Sequence, residues 1–151
     1  MNSHLPVFHN PDTLFDPTPF GFCHTVSAPD NGSLIFISGQ SGCEGPEHNL
    51  SDDFTHQVNV ALSNLANALN AHGLSFGDVL KINVLIVDHD VKKLAIWSKA
   101  VQRAWPQNQL PASTLIPVPR LALDGMKVEV DATAFKPNSN DCASPTDEEK
   151  S

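Results

Sequence analysis

Residues 110–135 read LPASTLIPVPRLALDGMKVEVDATAF. Two apolar runs joined by a turn make this stretch two strands. The first run carries Ser113 and Thr114 among apolar side chains and is interrupted by Pro117 and Pro119. No charged residue stands between Arg103 and Arg120. Such a run is either plain core or one wall of a site from which a charged group is missing. In the second run Glu129 alternates with Val128 and Val130, so it points away from their face. Two readings stay open for it: a solvated strand carboxylate, or a carboxylate in a cleft.

Upstream, GFCHTVSA (21–28) reads as a strand with Phe22, His24 and Val26 on one face. Asn31-Gly32 tolerates positive φ and predicts a hairpin turn into SLIFISG (33–39). GQSGCEGPEHN (39–49) is a glycine-rich loop. A helix follows, with Ser51 as its predicted N-cap and Asp52 and Asp53 in its first turn. Its apolar face holds Phe54, Val58, Ala61, Leu62, Leu65 and Leu69, and Gly73 stops it. VLKINVLIV (79–87) is the next strand. Asp90 caps a second helix whose stripe is Val91, Leu94, Trp97, Val101 and Trp105, and Pro106 ends it. Two helices can cover only one face of a sheet of about six strands. Yet LIFIS and VLIV are apolar on both faces, so a neighbouring copy is the simplest cover for the other face.

A chain of 151 residues fits one domain with a core large enough to need no disulfide or metal. The net charge is −8 and the nine Lys and Arg are scattered, so no nucleic-acid partner is expected. Three cysteines, an odd number, and no export signal suggest reduced thiols and a cytoplasmic location. No apolar run approaches the roughly 20 residues of a membrane span, so no membrane partner is expected. Cys23, His24, Cys43, His48 and His56 match no common zinc spacing, and no metal is expected. Residues 1–19 read as a surface segment, 20–136 as the folded domain, and 137–151 as a disordered acidic tail.

ISGQ (37–40), GDVLKINVLI (77–86) and LPAST followed by KVEVDATAF (110–114 and 127–135) stand in this order and at these separations. Together they resemble the reactive intermediate deaminase (Rid/YjgF) family over about residues 20–135. The resemblance implies an α+β, chorismate-mutase-like fold: a mixed sheet of about six strands with two helices on one face. It also implies a homotrimer with a cleft at each subunit interface. Active members hydrolyse small enamines and imines, such as 2-iminopropanoate, to a 2-keto acid and ammonia without a cofactor.

Carried over residue by residue, the family's substrate-gripping arginine in Pro-Ala-Arg-Ser is Ser113 here, within Pro111-Ala112-Ser113-Thr114. A frequent cysteine corresponds to Leu115, and the first-strand tyrosine to Phe22. An asparagine of the second helix falls near Ile96, while Ser38, Gly39, Gln40 and Glu129 are retained. The resemblance thus makes Glu129 the acid/base or water-orienting group. It makes Phe22, Ser38, Gly39, Gln40, Ile96, Ser113 and Thr114 the pocket for a small-molecule ligand or substrate. A serine cannot replace a bidentate guanidinium. Arg120, seven residues on, is either a surface arginine or a substitute anion binder. Two functions follow: an imine or enamine hydrolase of altered specificity, or a non-catalytic trimer that binds a small metabolite or another protein.

Overall fold

A computed structural model describes residues 4–139. The elements are β1 Val7–His9, β2 Thr25–Ser27, β3 Gly32–Ser41, α1 Phe54–Asn70, β4 Val79–Val87, α2 Val91–Ala104, β5 Ala112–Val118 and β6 Val128–Pro137. The main sheet runs β3-β6-β4-β5. β6 lies antiparallel to both β3 and β4, whereas β4 and β5 are parallel. A parallel pair needs a long crossover, and α2 supplies it. β5 closes the sheet as an edge strand, which is why Pro117 can sit within it without breaking a ladder.

Both helices bury one stripe against one face of this sheet. Val58, Ala61, Leu62, Leu65 and Leu69 of α1 and Trp97, Ala100 and Val101 of α2 pack on Ile82, Val84 and Ile86 of β4 and on Val128, Val130, Ala132 and Ala134 of β6. The fold is α+β, as expected. Alternation puts the intervening residues on the helix-free face. That face carries Glu129, Asp131 and Thr133 of β6, Leu34 and Phe36 of β3, and Ile116 of β5. Phe36 is 77% exposed and Leu34 50%.

The cap of α1 is Asp53, not the predicted Ser51. Its Oδ2 accepts the His56 N–H at 2.9 Å. Ser51 acts one step earlier: its Oγ accepts the Asp53 N–H, and its carbonyl accepts from the fully buried Gln57 side chain. Asp90 caps α2 as predicted, accepting from Lys93 N at 2.8 Å. Gly73, at φ 70°, ends α1 with Leu74 N–H returning to the Leu69 carbonyl. Val91 lies outside the buried stripe of α2: it opens the helix and is 81% exposed.

The predicted hairpin through Asn31-Gly32 does not form. Only Thr25–Ser27 of the first strand is extended, and it pairs antiparallel with β1 in a separate two-stranded sheet. The segment before it is held by other partners. Asn10 Oδ1 accepts the His24 N–H at 2.8 Å, and Cys23 N–H donates to the Pro111 carbonyl beside β5. Neither Asn31 nor Gly32 has positive φ. Gly32 is needed for a different reason: a β-carbon there would overlap the Phe135 ring and meet the Lys136 carbonyl oxygen at 2.5 Å. Of the predicted acidic tail, residues 140–151 lie outside the described residues.

Candidate functional site

A cavity of about 380 Å³ opens between the edge strand β5, helix α2 and the N-terminal segment. Four aromatic side chains line it: Phe15, Phe20, Phe22 and Trp97. Leu94 and Leu115 add aliphatic surface, and Ser113 and Thr114 complete the lining. None of these side chains is charged. Ser113 and Leu115 stand opposite Ile82 and Val84 in register, which places them on the helix side of the sheet. Thr114 turns the other way, and its Oγ1 accepts from Lys81 Nζ at 2.8 Å. The Lys81 ammonium is thus on the helix-free face, across the strand from the Ser113 wall.

The N-terminal segment is pinned at this cavity by local polar contacts. Asp16 accepts from Thr18 Oγ1 at 2.7 Å and from Thr18 N–H at 3.0 Å, which starts the short turn Thr18–Phe20. The Thr18 side chain first, and then its N–H, hold the Asp16 carboxyl below its ordinary value. Gln102 of α2 donates to the Thr18 carbonyl at 2.8 Å. Gly21, at φ 81°, backs onto α2, where a β-carbon would meet Val101 at 3.1 Å and the Ser98 carbonyl at 3.2 Å. His24 Nε2 lies 2.8 Å from the Phe15 carbonyl.

A second cluster forms on the helix-free face. The register of β3 on β6 slips between Ile37 and Gln40, a bulge that absorbs an extra residue at Ser38-Gly39. A β-carbon on Gly39 would overlap the Glu129 carboxylate, with Cδ at 2.6 Å and Cγ at 2.8 Å. The Glu129 side chain therefore lies directly over the Gly39 backbone. Gln40 Nε2 donates to the Ser38 carbonyl at 3.0 Å.

The predicted site residues thus divide. Phe22, Ser113 and Thr114 meet at the cavity. Ser38, Gly39, Gln40 and Glu129 meet at the bulge. Ile96 joins neither and packs against the core from α2. Two strand steps separate the groups, because Ser113 aligns through Ile82 with Ala132, three residues from Glu129. Phe15, Phe20, Leu94, Trp97 and Leu115 are cavity residues that the sequence reading did not select. The available signal was the pair of phenylalanines in an otherwise polar, proline-rich stretch, LFDPTPF (14–20).

Among the described residues no three His, Cys, Asp or Glu side chains gather where they could hold a metal. Burial pushes the Cys23 thiol up from 9.0 to about 11. Below pH 9 both folded and unfolded chains keep that proton. From pH 9 to about 11 the unfolded chain loses it first, so stability falls as pH rises through this window. A plot of Tm against pH is expected to decline more steeply there for the native chain than for Cys23→Ala. Equal slopes would show that Cys23 does not contribute.

The class defined by this fold and these clusters can be stated from comparison with known proteins. The chain belongs to the family described as Endoribonuclease L-PSP, whose model matches residues 21–136; this is the reactive intermediate deaminase (Rid/YjgF) family. The 2-iminobutanoate/2-iminopropanoate deaminase of Salmonella typhimurium is 26% identical over 113 residues, covering 74% of this chain and 86% of that one. TdcF of Escherichia coli K12, provisionally named a reactive intermediate deaminase, is 29% identical over 113 residues, 74% of this chain and 85% of its own. YyfB from Yersinia pestis, a solved Rid protein of unknown function, superposes with a TM-score of 0.80 at 29% identity, covering 89% of this chain and 98% of that one. E. coli TdcF solved with bound serine shares the fold at a TM-score of 0.61 and 22% identity, over 86% and 98% of the two chains. No helix among the described residues is long and apolar enough to cross a membrane.

Proposed function

We propose that this chain is an enamine or imine hydrolase of the deaminase type, with specificity altered by Ser113 in the place of an arginine. The observation that carries the reading is the cavity at Ser113: it is of small-molecule size, and no cation lines it. Relatives named for 2-iminopropanoate deamination and a related structure holding serine support a small substrate.

The reaction needs only positioned water and a proton carrier. Glu129 takes one proton from water as the hydroxyl adds to the imine carbon, and passes it to the imine nitrogen to give an amino alcohol. Glu129 then takes the hydroxyl proton and delivers it to the amino group as the C–N bond breaks, so that ammonia leaves. Carbon is left as a carbonyl, with no net change in the carboxylate. Within one chain Glu129 and the cavity lie on opposite sides of the sheet. A complete site therefore needs the bulge of one copy beside the cavity of another, and we assign a homotrimer. The exposed Leu34, Phe36 and Ile116 on the helix-free face support such an assembly. Light scattering is expected to give three chains per particle; a stable monomer at micromolar concentration would remove the shared site. The free thiols of Cys23 and Cys43 suit a cytoplasmic location.

The direct test is hydrolysis of 2-iminopropanoate, generated in place by an amino-acid oxidase and trapped competitively with semicarbazide. The native chain is expected to be slow, and Ser113→Arg to be about tenfold faster, because a guanidinium then grips the substrate carboxylate. Rapid hydrolysis by the native chain would refute the altered specificity. If neither protein hydrolyses the imine, the second reading takes over: a non-catalytic trimer that binds a small metabolite. That reading has the uncharged cavity lining in its favour. We do not propose the ribonuclease activity in the family's description, because a net charge of −8 with scattered cations repels an RNA backbone.

A further inference from the structure

We infer that the cavity beside Ser113 selects an uncharged, ring-bearing small molecule and rejects small carboxylates. The inference rests on the proposed site and names the class of ligand that the site takes. Phe15 is the centre of its wall. It stands edge-on to Phe20 at 6.2 Å, to Phe22 at 6.1 Å and to His24 at 4.9 Å between ring centroids. A ligand ring would extend this set of edge-to-face contacts. Phe15 and Phe20 remain 60% and 44% exposed although the hydrogen bonds of Asp16, Gln102 and His24 hold their segment in place. Both rings precede residues 21–136, the stretch that matches the family model.

The cavity also has a place for one polar group. Ser113 makes no side-chain hydrogen bond within the described residues, whereas the Thr114 hydroxyl is occupied by Lys81. One hydroxyl can satisfy one amide, carbonyl or imine nitrogen. It cannot offset the desolvation of a carboxylate, which needs a cation or several donors. A volume of about 380 Å³ admits one ring and a short substituent.

Benzamide and benzoate test this directly, since they are nearly isosteric and differ in charge. Each would be titrated into the full chain while the Trp97 indole N–H resonance is followed by NMR. Benzamide is expected to move that resonance with a Kd in the millimolar range, as suits so small a ligand. Benzoate is expected to bind at least about tenfold more weakly, a difference of about 1.4 kcal/mol. Ser113→Arg is expected to reverse the order, and Phe15→Ala to weaken benzamide about fivefold at an unchanged oligomeric state.

Equal or tighter binding of benzoate by the native chain would overturn the inference. So would a Trp97 resonance that neither compound moves. So would a Phe15→Ala variant that changes assembly but not benzamide affinity, because Phe15 would then belong to a subunit contact. The two proposals fail separately. Benzamide selectivity without imine turnover removes the hydrolase and keeps the aromatic pocket; imine turnover that benzamide does not inhibit removes the pocket and keeps the hydrolase.

Discussion

Glu129→Gln is expected to lower imine hydrolysis by about 10²-fold or more, with Tm nearly unchanged. The amide keeps the shape and the hydrogen-bonding capacity of the side chain but cannot take a proton from water. Stability should be spared because Glu129 lies over Gly39 on the helix-free face, outside the apolar core. Gly39→Val is the companion test. The new side chain would occupy the space of the Glu129 carboxylate and displace it. The clash involves the far end of a flexible side chain, so activity should fall far more than stability. Turnover that survives both substitutions would assign the proton transfer to another group. Ligand binding that survives while turnover is lost would separate the catalytic role from the pocket.

Gln57→Leu is expected to destabilise the fold by about 3 kcal/mol. Gln57 is fully buried in α1, and its amide joins three backbone groups from two loops. Its Nε2 donates to the Ser51 carbonyl at 2.6 Å and to the Gly125 carbonyl at 2.9 Å, and its Oε1 accepts the Lys127 N–H at 2.9 Å. Leucine fills similar space and leaves all three groups unpaired, each costing about 1–3 kcal/mol if water cannot reach it. For a chain of this size the Tm should fall by about 6–12 °C. Urea unfolding would measure the loss, and a change below about 1 kcal/mol would mean that the loops re-pair with water. Gly42 abuts the same residue, since a β-carbon there would meet Gln57 Cβ at 2.5 Å and Cα at 2.8 Å. Gln57 thus fixes the turn that leads into β6, and with it the register that sets Glu129 opposite Ser41.

Elements defined by local chemistry were legible. The α1 stripe, the Asp90 cap, the Gly73 stop and the extent of β4 all follow from spacing or single-residue propensity. The errors arose where two local signals competed. Ser51 and Asp53 can both cap a helix; Asp53 caps it, while the Ser51 carbonyl is engaged by Gln57, a residue six positions on. Asn31-Gly32 carries a hairpin signal, but Gly32 serves the close approach of Phe135 and Lys136, a contact across about a hundred residues of chain. For the site, the resemblance brought out Ser113, Thr114 and Phe22 at the cavity and grouped Ser38, Gly39, Gln40 and Glu129. It did not bring out Phe15, which precedes the stretch that carries it, or Phe20, which stands at its first position.

By itself the sequence determined the fold class, the helices with their buried faces, and the absence of a cation from the wall at Ser113. These are properties of residue type and of periods of two and 3.6, which neighbouring residues specify among themselves. Only the tertiary structure decided that β2 leaves β3 for β1, and that Phe15 and Phe20 turn the Ser113 wall into an aromatic cavity. It also decided that Ser113 shares the face of Val128 and Val130, so that the cavity and Glu129 lie on opposite sides of the sheet. Each of these depends on strand register and on contacts between distant segments. A one-residue shift at the β3 bulge would reverse which face a side chain takes, and nothing in the local pattern fixes that shift.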